Sequence, residues 1–369
     1  MAKQSLLIDF HKSNGAVFSE RDGWLLPNHF GDPKGEYKAV RSTAALIDRC
    51  HRGLLQLTGP DRLSFLQGML SNDLRTLKPG EGQPAAVLNQ QGKVLGDVRV
   101  LQSENSFYLV LWEFIKDKIV DHLNRYLVAD EVEIADRSGD YGILSIQGPQ
   151  SKVLLQKLVG QGELPGRSAQ HTIVAVGVAN ICVVRNGDTG EIGFDLIIPV
   201  AALQDVAQRA TDAGKQLSAR WVGEEAHNIR RIEAGIPRYG IDFTEENLLL
   251  ETGLNDAVSF TKGCYLGQEV VERIRSRGHV NKKLLGLLLD GDGAVRAGAL
   301  IYASDKEVGA ITSSVYSLSL RRPIALGYVH RDFSAAGTKL LVKHDGAPIP
   351  ATVNDLPFLQ PTNEAGFSS

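Results

Sequence analysis

The chain has few cysteines and no long apolar run, and each absence narrows what it can be. Its three cysteines, Cys50, Cys182 and Cys264, are odd in number, far apart and outside any Cys-x-x-Cys spacing. That argues against a disulfide framework and against a self-contained zinc or iron–sulfur site, and it fits a reducing compartment. The apolar run at Leu6-Leu7-Ile8 is far too short for a signal peptide. No stretch approaches the length of a membrane span, so a cytoplasmic chain without membrane contact is expected. Charge of one sign is also scarce. A formal net charge of −3 over 369 residues leaves no global basic field, so direct nucleic-acid binding is not expected. What remains is a folded composition, 43% hydrophobic and 22% charged. The length exceeds one ordinary core, so two or three domains are expected.

Periodicity organises the rest. Residues 54–58 read as a strand stopped by Gly59-Pro60, with Asp61 placed to cap a helix bearing Leu63, Phe65, Leu66, Met69 and Leu70. Strands are predicted at 85–89, 94–101 and 107–112, then a helix over 115–127. The order nearly repeats: a strand at 141–147 closed by Gly148-Pro149, a helix at 151–159, strands at 172–176, 181–185 and 194–198, and a helix at 201–213. Two α+β units of related build follow from this. From Leu284 the chain turns glycine-studded, with short strands at regular spacing, the pattern of a small barrel or sandwich.

Three places carry candidate chemistry. The first is Lys262-Gly263-Cys264-Tyr265-Leu266-Gly267-Gln268-Glu269, followed by Arg273, Arg275, Arg277, Lys282 and Lys283. Cations near in space would favour the thiolate of Cys264. A packed small hydrophobe beside a solvated charge run fits the same residues. The second is Asp97, inside the strand at 94–101, an awkward place for a carboxylate unless it faces polar partners. The third is Thr189-Gly190-Glu191-Ile192-Gly193-Phe194-Asp195, either a turn with an exposed Glu191 or a ligand contact.

The 262–273 segment resembles the signature K-G-C-Y-x-G-Q-E-x-x-x-R of the YgfZ family, folate-binding proteins related to the glycine cleavage T-protein, an aminomethyltransferase. The resemblance covers nearly the whole chain. Gly23-Trp24-Leu25-Leu26-Pro27, Thr58-Gly59-Pro60-Asp61, Arg231-Ile232-Glu233-Ala234-Gly235-Ile236-Pro237 and Leu326-Gly327-Tyr328-Val329 are similar to T-protein elements. It implies a three-lobed α+β fold: residues 1–282 as a folate-binding body of two interleaved lobes, and 283–369 as a C-terminal β-barrel. It implies tetrahydrofolate or a one-carbon derivative as cofactor. Glu191, Asp97, Lys262 and Tyr265 become expected folate contacts, Cys264 and Asp97 the chemically active groups, and no metal site is expected. A pterin edge presents two parallel donors, which one carboxylate accepts together, and this suits Glu191.

The resemblance also implies a role in assembling or maintaining iron–sulfur clusters, with client or assembly proteins as partners and an indirect role in tRNA modification. One cysteine cannot hold a cluster alone. Two departures from the T-protein stand out. His227 replaces an Arg, and Trp112 stands where an Asn is expected, either a stacking surface or a packed core residue. The T-protein segment corresponding to 262–269 resembles K-G-x-x-x-G-R-E and lacks the cysteine, which favours the YgfZ reading. A tetrahydrofolate-dependent aminomethyltransferase working with a lipoyl carrier is the alternative, and a binding module without chemistry is the third.

Overall fold

The computed structural model describes residues 2–160, 162–343 and 348–362, without the side chain of Arg277. Residues 344–347 and 363–369 of the expected barrel domain lie outside the described residues.

Strand alternation builds the body. In the strand Val94–Gln102, Val98 and Val100 point to one face, and Asp97, Arg99 and Leu101 to the other. The first face packs under the helices Arg62–Met69 and Lys116–Tyr126 through Phe65, Leu66, Met69, Ile119 and Leu123. The sheet has five antiparallel strands in the order Gly82–Leu88, Val94–Gln102, Phe107–Trp112, Arg52–Thr58, Glu133–Asp136. Asp61 does stand before its helix, but its carboxylate makes no cap; it accepts the Glu131 N–H at 2.9 Å.

A second sheet has six strands, ordered His171–Val176, Ala179–Arg185, Gly193–Pro199, Tyr141–Gln147, Ala45–Asp48, Arg220–Trp221. Its outer face packs on the helices Ser151–Val159 and Val200–Gly214. Ala45–Asp48 precedes the whole five-stranded sheet in sequence yet pairs with Tyr141–Gln147, so the two lobes interleave along the chain. The inner faces of the two sheets meet in a small apolar contact, Leu54, Leu101 and Val110 against Ile143, Val184 and Ile197. Each of these side chains removed from water contributes roughly 1.5–3 kcal/mol.

Six strands between Lys282 and Asn354 close into a barrel, as the regular short strands predict. The helix Glu224–Glu233 joins barrel to body. Glu233 accepts from Tyr37 at 2.8 Å and from Ser317 of the barrel at 2.5 Å. Arg231 pairs with Asp242 at 2.5 Å, and Asp242 accepts from Thr312 and Ser313, each at 2.6 Å. Gly235 ends the helix at φ +69°, where a Cβ would press on Leu356 at 2.8 Å.

Two outcomes follow. Asp242→Ala leaves Arg231 buried without its counter-ion, so stability should fall by about 3–5 kcal/mol in urea unfolding; a loss under 1 kcal/mol, roughly the scale of an exposed pair, would remove this joint from the account. Buried Asp48 accepts from Ser5 and from the Cys50 N–H, with His11 Nε2 at 2.8 Å. Burial pushes its pKa up, but His11, Ser5 and the Cys50 amide bring it down to about 2, below the ordinary 3.8. A carboxylate so depressed stabilises the fold fully above about pH 4, and that contribution is lost as pH falls toward about 2. Asp48→Asn should flatten the acid limb of the stability curve; an unchanged limb would assign acid unfolding to other groups.

Candidate functional site

Beyond their apolar contact the inner faces of both sheets turn polar, and a cavity of about 150 Å³ lies between them. The alternation that points Leu54, Leu101 and Val110 inward also points Arg52, Asp97, Arg99 and Trp112 inward. Asn186 and Asp195 continue the inward rows of Val184 and Ile197. Asp188 from the intervening turn, His227 and Arg231 from the connecting helix, and Arg238 after it complete the wall. A larger cavity, about 560 Å³, lies at the other end of the apolar contact against Leu101, Tyr108, Cys182 and Ile197. Among the described residues it carries only Glu104 and His171 as titratable groups besides Cys182 and its tyrosines, so the smaller cavity is the candidate site.

Most of its cations are paired. Arg49 Nη2 lies 2.6 Å from Asp188, and Arg238 bridges Glu224 at 2.8 Å and Asp22 at 2.6 Å. Arg99 donates to Asp195 at 3.0 Å and to Asn186 at 2.6 Å, and Asn186 donates to the same Asp195 oxygen at 2.6 Å. Arg52 differs: its guanidinium lies over the Trp112 ring, 3.3 Å from the centroid. Trp112 is only 4% exposed, so it is both packed and part of the cavity wall.

The electrostatics follow from burial. Desolvation raises the Asp97 pKa against the pull of Arg52 and Arg99. It lowers those of His51 and His227, and Arg49 pushes both in the same direction, so both rings are neutral near pH 7. Burial also lowers Arg52, to about 9, with Arg49 adding to it. Asp188 is the reverse case: burial would raise it, but Arg49 and His227 hold it far below the carboxylate range. Six buried atoms on this wall have no hydrogen-bond partner among the described residues: Oδ1 of Asp97, Asp188 and Asp195, Nε1 of Trp112, Nδ1 of His227 and Nε of Arg238. Buried polar groups are rarely left so, and a cluster of them marks a place where a polar ligand fits.

The comparisons with known proteins bear on this cavity. Residues 7–262 match the model of the GCVT N-terminal domain, and residues 282–360 that of the glycine cleavage T-protein C-terminal barrel domain. The chain belongs to the glycine cleavage T-protein family. It is 32% identical to an aminomethyltransferase of Rubrobacter xylanophilus over 96% of this chain and 94% of that protein. An aminomethyltransferase of Desulforamulus reducens is also 32% identical, over 96% and 98%. The crystal structure of glycine cleavage system aminomethyltransferase T from Bartonella henselae superposes with a TM-score of 0.90 at 26% identity, covering 98% of this chain and 99% of that one. The named relatives are aminomethyltransferases; the comparisons support the T-protein family as a whole and do not single out its YgfZ branch.

Of the residues expected from the sequence, Asp97 lines the cavity of this T-protein-family chain and four others do not. Glu191 is buried beside it, with both oxygens engaged: Oε1 by Arg41 and by Arg230 at 3.0 Å, Oε2 by the Thr362 N–H at 2.9 Å. The carboxylate of the same motif that reaches the wall is Asp195, four residues on and inside the strand. Lys262 is turned inward. Its ammonium donates to the carbonyls of Gln67, Leu70 and Asn72 at 2.6–2.8 Å, closing the end of the helix Arg62–Met69. Tyr265 is packed in the core of the first lobe, where burial pushes its hydroxyl up to about 12. Gly267 takes φ +82° against the Asn89 carbonyl, which a Cβ would meet at 2.5 Å, so this glycine fits the loop to its own chain. Cys264 is exposed on that loop. Two of the cations near it in sequence are spent elsewhere: Lys262 on carbonyls, Arg275 on the Phe260 carbonyl at 3.0 Å.

Arg52, Arg99, Asn186, Asp188 and Asp195 were not singled out from the sequence. A period-two reading that carried the inward faces past Leu54, Leu101, Val184 and Ile197 names all but Asp188, which sits in the turn. Accessibility gives the next expected result. Burial raises the Cys50 thiol well above its ordinary value and the Cys182 thiol to about 12. Cys264 should therefore take up iodoacetamide at least about tenfold faster than either at pH 7, resolved by peptide mass spectrometry. Equal rates at Cys264 and Cys182 would show that the loop is covered in solution.

Proposed function

We propose that this chain binds tetrahydrofolate, or a one-carbon derivative, in the cavity between the two sheets and acts as a tetrahydrofolate-dependent aminomethyltransferase. One observation carries the reading: in a chain of this family, the unpartnered oxygens of Asp97 and Asp195 share one arginine-rimmed cavity. A pterin edge brings paired N–H donors, the complement such oxygens lack. A cavity of about 150 Å³ is smaller than the roughly 300 Å³ at which pockets for drug-sized ligands begin, so it suits the ring system and leaves the tail outside.

Tetrahydrofolate supplies the nitrogen that accepts the one-carbon unit. The residues supply the surroundings. Asp195, braced by Arg99 and Asn186, is a fixed acceptor for the ring edge. Asp97, with its pKa raised by burial, is a stronger proton acceptor than an exposed Asp. Its charge stabilises cationic character developing on a nitrogen beside it. Glu191 becomes a strut that ties Arg230, Arg41 and the C-terminal segment together.

The test mixes purified protein with aminomethyl-loaded lipoyl carrier and tetrahydrofolate and measures ammonia and methylene-tetrahydrofolate. Wild type should turn over, and Asp97→Asn should lose roughly 100-fold or more in kcat, a larger factor than its loss of folate affinity. Asp195→Asn should instead weaken binding by about 10- to 150-fold, the worth of one charge-assisted hydrogen bond to its free oxygen. Turnover undiminished in Asp97→Asn would remove it from the chemistry.

A second reading rests on the exposure of Cys264 in its Gly-rich loop. A YgfZ-type protein would bind folate in the same cavity and present that thiol to iron–sulfur client or assembly proteins, with tRNA modification affected downstream. Absence of ammonia release from a folate-binding wild type, together with loss of iron–sulfur enzyme activity in a deletion strain carrying Cys264→Ala, would select it.

A further inference from the structure

Arg52 and Trp112 are directly opposed on neighbouring antiparallel strands, so their stack is fixed by sheet register rather than by chance rotamers. The guanidinium lies 3.3 Å from the indole centroid, with Arg238 4.5 Å away from the same ring. Arg49, Arg99, Arg231 and Arg238 each hold a carboxylate. Arg52 has no hydrogen bond or ion pair from its guanidinium to any described residue, and besides the Trp112 ring it meets only the charges around it. Trp112 is almost fully covered while Arg52 keeps part of its surface on the cavity. The indole therefore presents to the cavity a flat cation held in place, its N–H groups unspent. Guanidinium is planar and weakly hydrated and stacks on flat rings; an ammonium does none of this.

We infer that Arg52, propped on Trp112, is the platform on which a flat heterocycle stacks while Asp97 and Asp195 take its donor edge. The inference rests on the folate reading and adds its specificity element: a ligand that is flat, uncharged or anionic, with donors on one edge. A cationic ring would meet the positive charge of the guanidinium and be refused.

The experiment is calorimetric titration under anaerobic conditions with two probes, tetrahydrofolate and a tetrahydropterin lacking the aminobenzoyl-glutamate tail, on wild type, Arg52→Lys and Arg52→Gln. Thermal unfolding first checks that each variant is folded; Arg52 is partly exposed, so both are expected to be. Arg52→Lys keeps the charge and loses the plane. It should lose about tenfold in affinity for both probes, the scale of a desolvated cation–π contact, and Arg52→Gln at least as much. Arg52→Lys binding as tightly as wild type would overturn the platform and leave only a charge effect. A loss confined to tetrahydrofolate, with the tailless pterin unaffected, would also overturn it and assign Arg52 to the tail carboxylates. Tighter binding in both variants would make Arg52 a plug instead. If wild type binds neither probe, the folate reading falls and the platform with it, an outcome distinct from the other three.

Discussion

The contact between the inner faces of the two sheets is the constraint on which the site depends. A strand cannot change which side its alternate residues face without a bulge, so the residues that continue an inward row must go where the row goes. Leu54, Leu101 and Val110 meet Ile143, Val184 and Ile197 and exclude water there. The next inward positions are Arg52, Asp97, Arg99, Trp112, Asn186 and Asp195. Apolar packing thus forces charge together a few residues away, between two rigid sheets, where helices on the outer faces prevent retreat.

Charges gathered that way are costly, and the wall is arranged accordingly. A buried ion pair gains little over an apolar pair, yet removing one partner is severe. Arg49, Arg99, Arg231 and Arg238 meet this by pairing. Arg230 meets it twice, with Glu191 and Glu233, both nearly inaccessible. Through Glu233 and Asp242 these pairs reach Ser317, Thr312 and Ser313 of the barrel. The helix that brings His227 and Arg231 to the cavity is therefore fixed by the same charges that attach the third lobe. Against this background Arg52 and the free oxygens of Asp97, Asp188 and Asp195 stand out, because their neighbours show that the fold can satisfy buried charge where nothing else is asked of it.

Much of the architecture was legible in the sequence, and for a physical reason. Strand and helix periods survive in Val94–Gln102 and Lys116–Tyr126, and Gly-Pro stops after Thr58 and Gln147 mark where strands end. The site was legible in part. Asp97 announced itself as a carboxylate in an apolar strand. Glu191 and Asp195 share one motif, and which of them reaches the cavity depends on where the turn ends and the strand Gly193–Pro199 begins. Arg230 and Arg41, distant in sequence, take Glu191 out of reach. Lys262 and Tyr265 were expected at the site because they belong to a signature that resembles a folate-binding family's, but side-chain direction in an irregular loop has no period to read.

That loop explains why sequence and comparisons pull toward different branches of one family. Lys262 caps three carbonyls, Tyr265 fills the first core and Gly267 fits against Asn89, so most of the Lys262–Glu269 run is spent on holding the loop to the first lobe. Those needs are the same whichever reaction the cavity serves. Cys264 is left facing solvent, beside Gly263 where a side chain would meet nothing within 4 Å. The cavity and the thiol are thus separable features of one chain: the first belongs to the folate chemistry proposed for the inter-sheet cavity, and the second is the residue by which a YgfZ-like function would differ from an aminomethyltransferase.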